Sequence, residues 1–421
     1  MDECLCTKLV SALRYSEVAR RRTALFRLQL TMPPSRTKKG PHVLLVSSTE
    51  SPPKLTKFYF VDCLRGFAAI SVLVYHFVEI FEWTEFPHNG LLVWFRIGWM
   101  GVDLFFVMSG LVISLSAFRE IGGQKVGFRR RFMARRVARI LPLHYLTLFV
   151  HAVFVTPGIL RQESFFANIL THLFFGHNLF PGFHGAINGS NWSVGVEFQF
   201  YLLVCFLAPM LKKARLLVIG LGGTLLAVIW RYYSFSYLLS KCSTTGSLED
   251  FRVFFLTTQL PGLLDSFSLG VCLAKFLFDK DAPTLHPITA FAVWIGTFVL
   301  TLLLLHQYFS VHMYWHNVLM VTFWRSGLAL SCTSILLLAT TARASKLVQR
   351  AFFCLKYLGD ISYGIYLWHL PVLVSLKEAD WESKGTAFFL VLCLTLTCAS
   401  ASWHFVEQPL SKVVYALCSG T

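Results

Sequence analysis

The 421-residue sequence predicts an all-α, polytopic integral membrane protein with about ten transmembrane helices. Three observations support this fold class: the composition, the length of the apolar runs and the distribution of basic residues. Hydrophobic residues make up 55% of the chain and charged residues only 14%, against about a quarter in soluble domains. With a mean hydropathy of +0.59, most of the surface must face lipid. This composition excludes a disordered chain, a coiled coil and a secreted disulfide scaffold.

The apolar runs are each about 18–25 residues long, enough to cross a hydrocarbon core of about 30 Å at about 1.5 Å per residue. Ten spans are predicted, at residues 61–82, 98–117, 136–156, 192–211, 216–235, 253–277, 287–308, 317–341, 354–376 and 385–405. The stretch 165–180 is interrupted by His172, His177 and Asn178. It is therefore predicted to be a surface or re-entrant helix.

Basic residues predict the orientation, because Lys and Arg beside a span stay on the cytoplasmic side. With the N-terminus inside, the inner segments hold 29 of the 38 Lys and Arg residues, and the outer connections are acidic. Both termini are then cytoplasmic, in either a plasma membrane or an endomembrane. The formal charge of +16 is explained without a nucleic-acid partner, with the lipid bilayer as the surroundings of the chain.

Three regions are predicted. Residues 1–57 carry 11 basic residues and form a disordered cytoplasmic tail, residues 58–412 form the transmembrane domain, and residues 413–421 form a short cytoplasmic C-terminus. The alternatives for residues 1–57 are a targeting segment, a membrane-surface helix or an extension upstream of a start at Met32.

Ionisable residues inside the predicted spans are the candidates for function, since each costs at least about 2.5–3.5 kcal/mol to insert. Their depths form two layers. The inner layer contains Asp62, Arg65, Arg136, Arg139, Asp360 and Glu407, and the outer layer contains His76, Asp103, Glu197 and His369. Arg65 and His76 are separated by about 16 Å of helical rise and only about 20° of rotation, so they share a helix face. Asp62 is expected to pair with Arg65 three residues later.

Six motifs occur in order along these spans. They are DCLRG (62–66) with His76, GVDLFFVMSG (101–110), RVARILP (136–142), WSVGVE (192–197), GDISY (359–363) with YLWH (366–369), and VEQP (406–409). Together they resemble the membrane-bound acyltransferase 3 family over about residues 58–412. Cys63 departs from the small residue common in the family, and Phe198 replaces a second acidic residue present in many members. The second departure puts in doubt any mechanism that needs paired carboxylates there.

The resemblance implies transfer of an acyl group, often acetyl from acyl-CoA, to a hydroxyl of a carbohydrate or lipid-linked acceptor. Acyl-CoA is a donor substrate, and no bound cofactor is expected. The family pattern of a basic residue, ten residues and a histidine maps onto Arg65 and His76, and its Arg-x-x-Arg maps onto Arg136 and Arg139. Because coenzyme A is cytosolic and carries several phosphates, these arginines suit the cytoplasmic entrance of a donor site.

A thioester is already activated, so the chemistry needs a base for the acceptor hydroxyl and a means of holding both substrates. His76 is the predicted base or acyl carrier, and direct transfer and an acyl-histidine intermediate both fit. Glu197, at similar depth, is the first choice for a carboxylate on the other ring nitrogen of His76. Asp103 is the second choice, with capping of a helix start as its alternative.

The remaining candidates are assigned supporting roles. Trp192 and Ser193 are expected to position Glu197, and a place in an interfacial aromatic belt is the alternative for Trp192. His369 is expected to line the acceptor pocket or to anchor the chain at the interface. Asp360 and Glu407 are expected to pair with buried arginines. No metal motif is present, because His172, His177 and His184 lack ligand spacing and are expected at the membrane surface.

Two other functional classes compete with the enzyme. A proton-coupled membrane transporter would also need His, Asp and Glu at several depths. A structural or receptor-like membrane protein would have no cavity joining Arg65, His76 and Glu197. An arginine-lined cavity would favour the enzyme.

Overall fold

The structure is a computed structural model that describes residues 58–123, 127–241, 247–280, 283–311 and 314–419. These residues form helices and connecting turns and contain no strand, which confirms the all-α prediction for this part of the chain. The predicted tail at 1–57, with its alternatives, lies outside the described residues.

The first half of the described chain contains six helices. They are α1 Tyr59–Ile80, α2 Gly101–Gly122, α3 Phe128–Val150, α4 Phe165–Leu173, α5 Asn191–Lys213 and α6 Leu216–Lys241. A 3₁₀ segment, Leu91–Met100, runs directly into α2, and a π-helical turn, His151–Val155, extends α3. The short α4 lies within the stretch that was predicted as a surface or re-entrant helix.

The second half continues in the same way. Its helices are α7 Ser247–Thr257, α8 Leu264–Asp279, α9 Pro287–Ser310, α10 Arg325–Thr341, α11 Lys346–Ala351, α12 Phe353–Asp360, α13 Ser362–Lys377, α14 Lys384–Ser402 and α15 Gln408–Ser419. The start of α14 is capped by Ser383, whose hydroxyl accepts a hydrogen bond from the amide of Thr386 at 3.1 Å. The predicted domain boundary at residue 412 falls inside α15.

Within the described residues, nine helical stretches are long and apolar enough to cross a membrane. They coincide with nine of the ten predicted spans. The tenth, 354–376, consists of α12 and α13, which meet at Ile361 with backbone angles of φ −94° and ψ 8°. Neither helix alone has the length of a span. The described residues therefore indicate a multi-pass membrane protein in which the tenth predicted span is interrupted at Ile361.

The helices differ in how much apolar surface they expose. On α9, with a mean hydropathy of 2.3, the side chains of Ile288 and Phe291 are 74% and 63% exposed. On α2, Met108 and Leu111 are 1% and 0% exposed. Lipid is the medium that tolerates the α9 surface. Helix α2 accordingly lies at the centre of the domain, and α9 lies at its periphery.

Glycines allow two pairs of helices to pack backbone against backbone. A Cβ atom added at Gly359 of α12 would lie 1.8 Å from the carbonyl oxygen of Asp62 on α1. One added at Gly110 of α2 would lie 2.3 Å from the carbonyl oxygen of Phe267 on α8. Small residues at such crossings are typical of membrane helices. The first crossing fixes the backbone of α1 directly beside Arg65.

Candidate active site

A cavity of about 80 Å³ lies inside the transmembrane domain. Four predicted site residues line it: Arg65, Arg139, Ser193 and Glu197. The other lining residues are Val102, Phe105, Phe106, Met108, Ser109, Ile140, Val194, Tyr201, Ser362, Tyr363 and Tyr366. The cavity is thus formed by α1, α2, α3, α5 and α13, and basic, acidic and aromatic side chains meet in it.

Helical periodicity explains which residues reach the cavity. Helix α2 contributes Val102, Phe105, Phe106 and Ser109, which follow the i, i+3, i+4, i+7 pattern of one helix face. Helix α5 contributes Ser193, Glu197 and Tyr201 at intervals of four, together with Val194. Each helix therefore presents one continuous stripe to the cavity.

Glu197 is held by two hydroxyl groups. Its Oε1 accepts a hydrogen bond from Ser109 Oγ at 2.6 Å and another from the Tyr201 hydroxyl at 2.8 Å. Hydrogen bonds to a carboxylate are among the stronger ones in proteins. Arg65 lies within electrostatic range of Glu197 and of Arg139. The structure does not bring Glu197 into hydrogen-bond contact with His76, and the hydrogen bonds of Glu197 run within the cavity wall.

The neighbour of His76 is a second histidine. His369 Nε2 lies 3.3 Å from His76 Nδ1, and the ring centroids are 5.0 Å apart. The same Nδ1 lies 2.9 Å from the carbonyl oxygen of Val72, one turn earlier on α1. His76 is half-buried, whereas His369 is fully buried. Neither imidazole lines the cavity, although Arg65 on the same face of α1 does.

Tyr366 links the cavity to the histidine pair. Its ring lies 5.7 Å from that of His369, one turn later on α13, and it also lines the cavity. Its hydroxyl is 2.6 Å from Ser193 Oγ, and both hydroxyls lie 3.1 Å from the carbonyl oxygen of Ser190. Ser193 therefore contacts Tyr366, whereas Glu197 is positioned by other groups.

Asp103 does not approach His76 either. Its Oδ1 lies 3.3 Å from Arg325 Nε, and the two side chains are 1% and 5% exposed. The Arg325 guanidinium also lies over the Trp99 ring, 5.3 Å from its centroid. The structure therefore does not bring Asp103 to His76, and the deeply buried carboxylate has a cation from α10 as its partner.

The inner layer contains the expected pair of Asp62 and Arg65, whose Oδ1 and Nη1 are 3.8 Å apart. Asp360 was expected to pair with an arginine, but it forms an ion pair with Lys356 one turn earlier on α12. Glu407 is 3% exposed and lies within electrostatic range of Arg139. The charges of this layer are thus largely compensated.

Two more candidates lie beside the cavity. The Arg136 guanidinium lies over the Phe132 ring, 5.5 Å from its centroid, while Arg139 reaches the lining. Trp192 is 9% exposed, with its ring 6.1 Å from that of Phe106. The alternative of an interfacial belt for Trp192 is therefore wrong.

Comparison with known proteins agrees with this arrangement. A family model described as an acyltransferase domain matches residues 58–404. The chain belongs to this acyltransferase 3 family. The resemblance drawn from the six motifs is confirmed.

Three bacterial proteins are among the curated relatives of this acyltransferase chain. It is 28% identical over 368 residues to a putative peptidoglycan O-acetyltransferase, YrhL, of Bacillus subtilis, covering 83% of the chain and 54% of the relative. It is 27% identical over 377 residues to the peptidoglycan O-acetyltransferase OatA of Listeria monocytogenes, covering 84% and 55%. A putative O-acetyltransferase of Staphylococcus aureus is 24% identical over 369 residues, covering 84% and 57%. The chain thus spans little more than half the length of these relatives, and no solved structure matches it.

The acyltransferase domain also contains a buried ion pair that the sequence analysis missed. Arg231 Nη2 lies 2.8 Å from Asp265 Oδ2, and the two side chains are 1% and 0% exposed. Arg231 also donates hydrogen bonds to the carbonyl oxygens of Thr322 and Gly262 and to the hydroxyl of Ser326. The signal was present in the sequence, since both charges lie inside predicted spans, as does Arg325.

Three histidines lie in the connection between α3 and α5 of the acyltransferase domain. His172, His177 and His184 were expected at the membrane surface, but they are 0%, 0% and 7% exposed. The rings of His172 and His177 stack with centroids 4.0 Å apart. Burial lowers the pKa of His177 to about 4 and that of His172 to about 2, so both are neutral at pH 7. In the described part of the chain, no group of three or more possible ligands could hold a metal ion.

Proposed function

We propose that the chain is a membrane O-acyltransferase that transfers an acyl group, acetyl in the first instance, from acyl-CoA to a hydroxyl of a carbohydrate or lipid-linked acceptor. The main observation in support of this proposal is the intramembrane cavity lined by Arg65, Arg139 and Glu197. Family membership supports it, as do relatives named as peptidoglycan O-acetyltransferases. The family assignment favours the enzyme over the proton-coupled transporter.

The arginines suit a phosphate-bearing donor. In the orientation expected from the basic residues, Arg65 and Arg139 face the cytoplasmic end of the cavity. Guanidinium groups bind phosphate through two parallel hydrogen bonds, and a site of low polarity strengthens such contacts. Arg136, which lies in electrostatic range of the cavity residue Tyr201, extends the positive field toward the entrance.

His76 supplies the base. The acceptor oxygen bonds to the thioester carbon, the carbon–sulfur bond breaks, and His76 takes the hydroxyl proton and returns it to the departing thiolate. Tyr366 lines the cavity and contacts His369, so this side chain is shared by the donor cavity and the histidine pair. The acceptor then approaches His76 from the outer side, as a cell-surface glycan would.

The test is hydrolysis of acetyl-CoA by the protein in vesicles, in which water takes the place of the acceptor hydroxyl, with binding of a non-hydrolysable acetyl-CoA analogue measured in parallel. His76→Ala should lower turnover at least about 100-fold and leave analogue binding unchanged. Arg139→Ala should weaken analogue binding about 10- to 100-fold, the effect of one lost charge-assisted contact. His306→Ala, at an exposed position on α9, is the matched control and should match the wild type.

Two outcomes would contradict the proposal. One is a wild-type protein that neither binds the analogue nor consumes acetyl-CoA. The other is unchanged turnover in His76→Ala. Vesicles loaded with acetyl-CoA on one side only test the orientation, since turnover should need the donor on the side of the basic loops.

A further inference from the structure

The contact between His76 and His369 joins two helices that are far apart in sequence. His369 on α13 lies 293 residues beyond His76 on α1, yet its Nε2 is 3.3 Å from His76 Nδ1. The two ring planes are tilted by 45° to each other. Ring packing alone does not require a nitrogen of one ring to face a nitrogen of the other, as His76 Nδ1 and His369 Nε2 do.

The carbonyl group of Val72 assigns the proton on His76. A carbonyl oxygen can only accept, so the 2.9 Å contact with Val72 requires a proton on His76 Nδ1 and leaves the lone pair on Nε2. The same N–H lies 3.3 Å from His369 Nε2, so it is shared between these two acceptors. His369 Nε2 therefore carries a lone pair, and this lone pair faces the N–H of His76.

We propose that His369 is a positioning residue that performs the task usually given to a carboxylate. This inference rests on the proposed function. His369 Nε2 accepts a hydrogen bond from His76 Nδ1–H and so keeps His76 Nε2 free to take the acceptor proton. When that proton transfers, the positive charge of the His76 imidazolium is shared with His369 through the same hydrogen bond.

The positions of the carboxylates support this assignment. Glu197 is bound to Ser109 and Tyr201, and Asp103 is paired with Arg325. The ring neighbours of the pair are Tyr75 from α1 and Tyr366 from α13, which are neutral groups at pH 7. A neutral imidazole stabilises the imidazolium without adding a charge to the membrane interior, where an extra carboxylate would be costly.

The experiment compares three substitutions at position 369 by steady-state kinetics in vesicles. His369→Leu keeps an apolar volume but removes the acceptor, so kcat should fall about 100-fold with KM for acetyl-CoA nearly unchanged. His369→Asn restores an acceptor atom, so kcat should return to within about tenfold of the wild type. His306→Ala is again the matched control.

A pH profile tests whether residue 369 faces His76 in the working enzyme. In His369→Glu, the carboxylate favours the protonated form of His76, so the acid limb of the kcat profile should move about one pH unit higher. A side chain at position 369 that does not face His76 would cause no such movement. If kcat of His369→Leu stays within twofold of the wild type, or the acid limb of His369→Glu does not move, the assignment to His369 is overturned. A wild-type protein without turnover overturns instead the proposed function itself.

Discussion

The buried pair of Arg231 and Asp265 gives a stability prediction that can be worked out from its contacts. The guanidinium makes four hydrogen bonds of 2.7–3.0 Å, to Asp265, Thr322, Gly262 and Ser326. The carboxylate also accepts from the Ser326 hydroxyl at 2.8 Å. The network joins α6 to α8, to the segment before α8 and to α10.

The magnitude follows from what each substitution leaves behind. Arg231→Met leaves an uncompensated carboxylate in a fully buried site, and this should lower the free energy of unfolding by about 3–5 kcal/mol. Asp265→Leu leaves an uncompensated guanidinium, with a loss of similar size. The double variant leaves neither charge, so it should unfold within about 2 kcal/mol of the wild type. The two single losses then sum to at least about 6 kcal/mol, so the coupling energy between the sites is at least about 4 kcal/mol.

The assay is equilibrium unfolding in mixed micelles, followed by tryptophan fluorescence as the fraction of denaturing detergent rises. Leu217→Ala, at a position 72% exposed on α6, is the control and should change the midpoint little. The reasoning fails if Arg231→Met alone costs less than about 1 kcal/mol. It fails equally if the loss in the double variant equals the sum of the two single losses.

Two further predictions concern packing and pH. Gly359→Ala would place a methyl group against the carbonyl oxygen of Asp62, so it should lower the thermal midpoint by several degrees. Gly222→Ala is the control and should not lower it, because the space around its Cβ is open. Equal midpoints of the two variants would contradict the close crossing. Burial lowers the pKa of His177 to about 4 in the folded state, from about 6.5 in the unfolded chain. The contribution of this residue to the free energy of unfolding should therefore be complete above pH 6.5 and about 2 kcal/mol smaller at pH 5. A thermal midpoint independent of pH in this range, or a pH dependence unchanged in His177→Gln, would contradict this prediction.

The spans could be predicted because lipid imposes a strong and local rule. Backbone groups in hydrocarbon must be satisfied within the helix, so the length of an apolar run nearly determines each helix. The break at Ile361 could not be predicted in this way. It depends on contacts between distant segments, in which α12 is held against α1 at Gly359 while α13 begins a new helix.

For the site, the sequence predicted depth and helix face but not lateral neighbours. Arg65 and His76 share a face of α1, yet only Arg65 lines the cavity, whereas His76 contacts His369 from α13. The carboxylates of Glu197 and Asp103 have suitable depths, but the packing of α2, α5 and α10 decides which groups they contact. Hydropathy contains no information on which helices are adjacent.

The two buried ion pairs have a consequence for synthesis. Arg231 precedes Asp265 by 34 residues. At a synthesis rate of about 5–20 residues per second, Asp265 is therefore made roughly 2–7 s after Arg231. Asp103 precedes Arg325 by roughly 220 residues, which is a delay of about 11–44 s. Throughout that interval α2 holds an unneutralised carboxylate, although it later becomes the centre of the domain. The insertion machinery therefore has to shelter the central helix until α10, which carries Arg325, has been made.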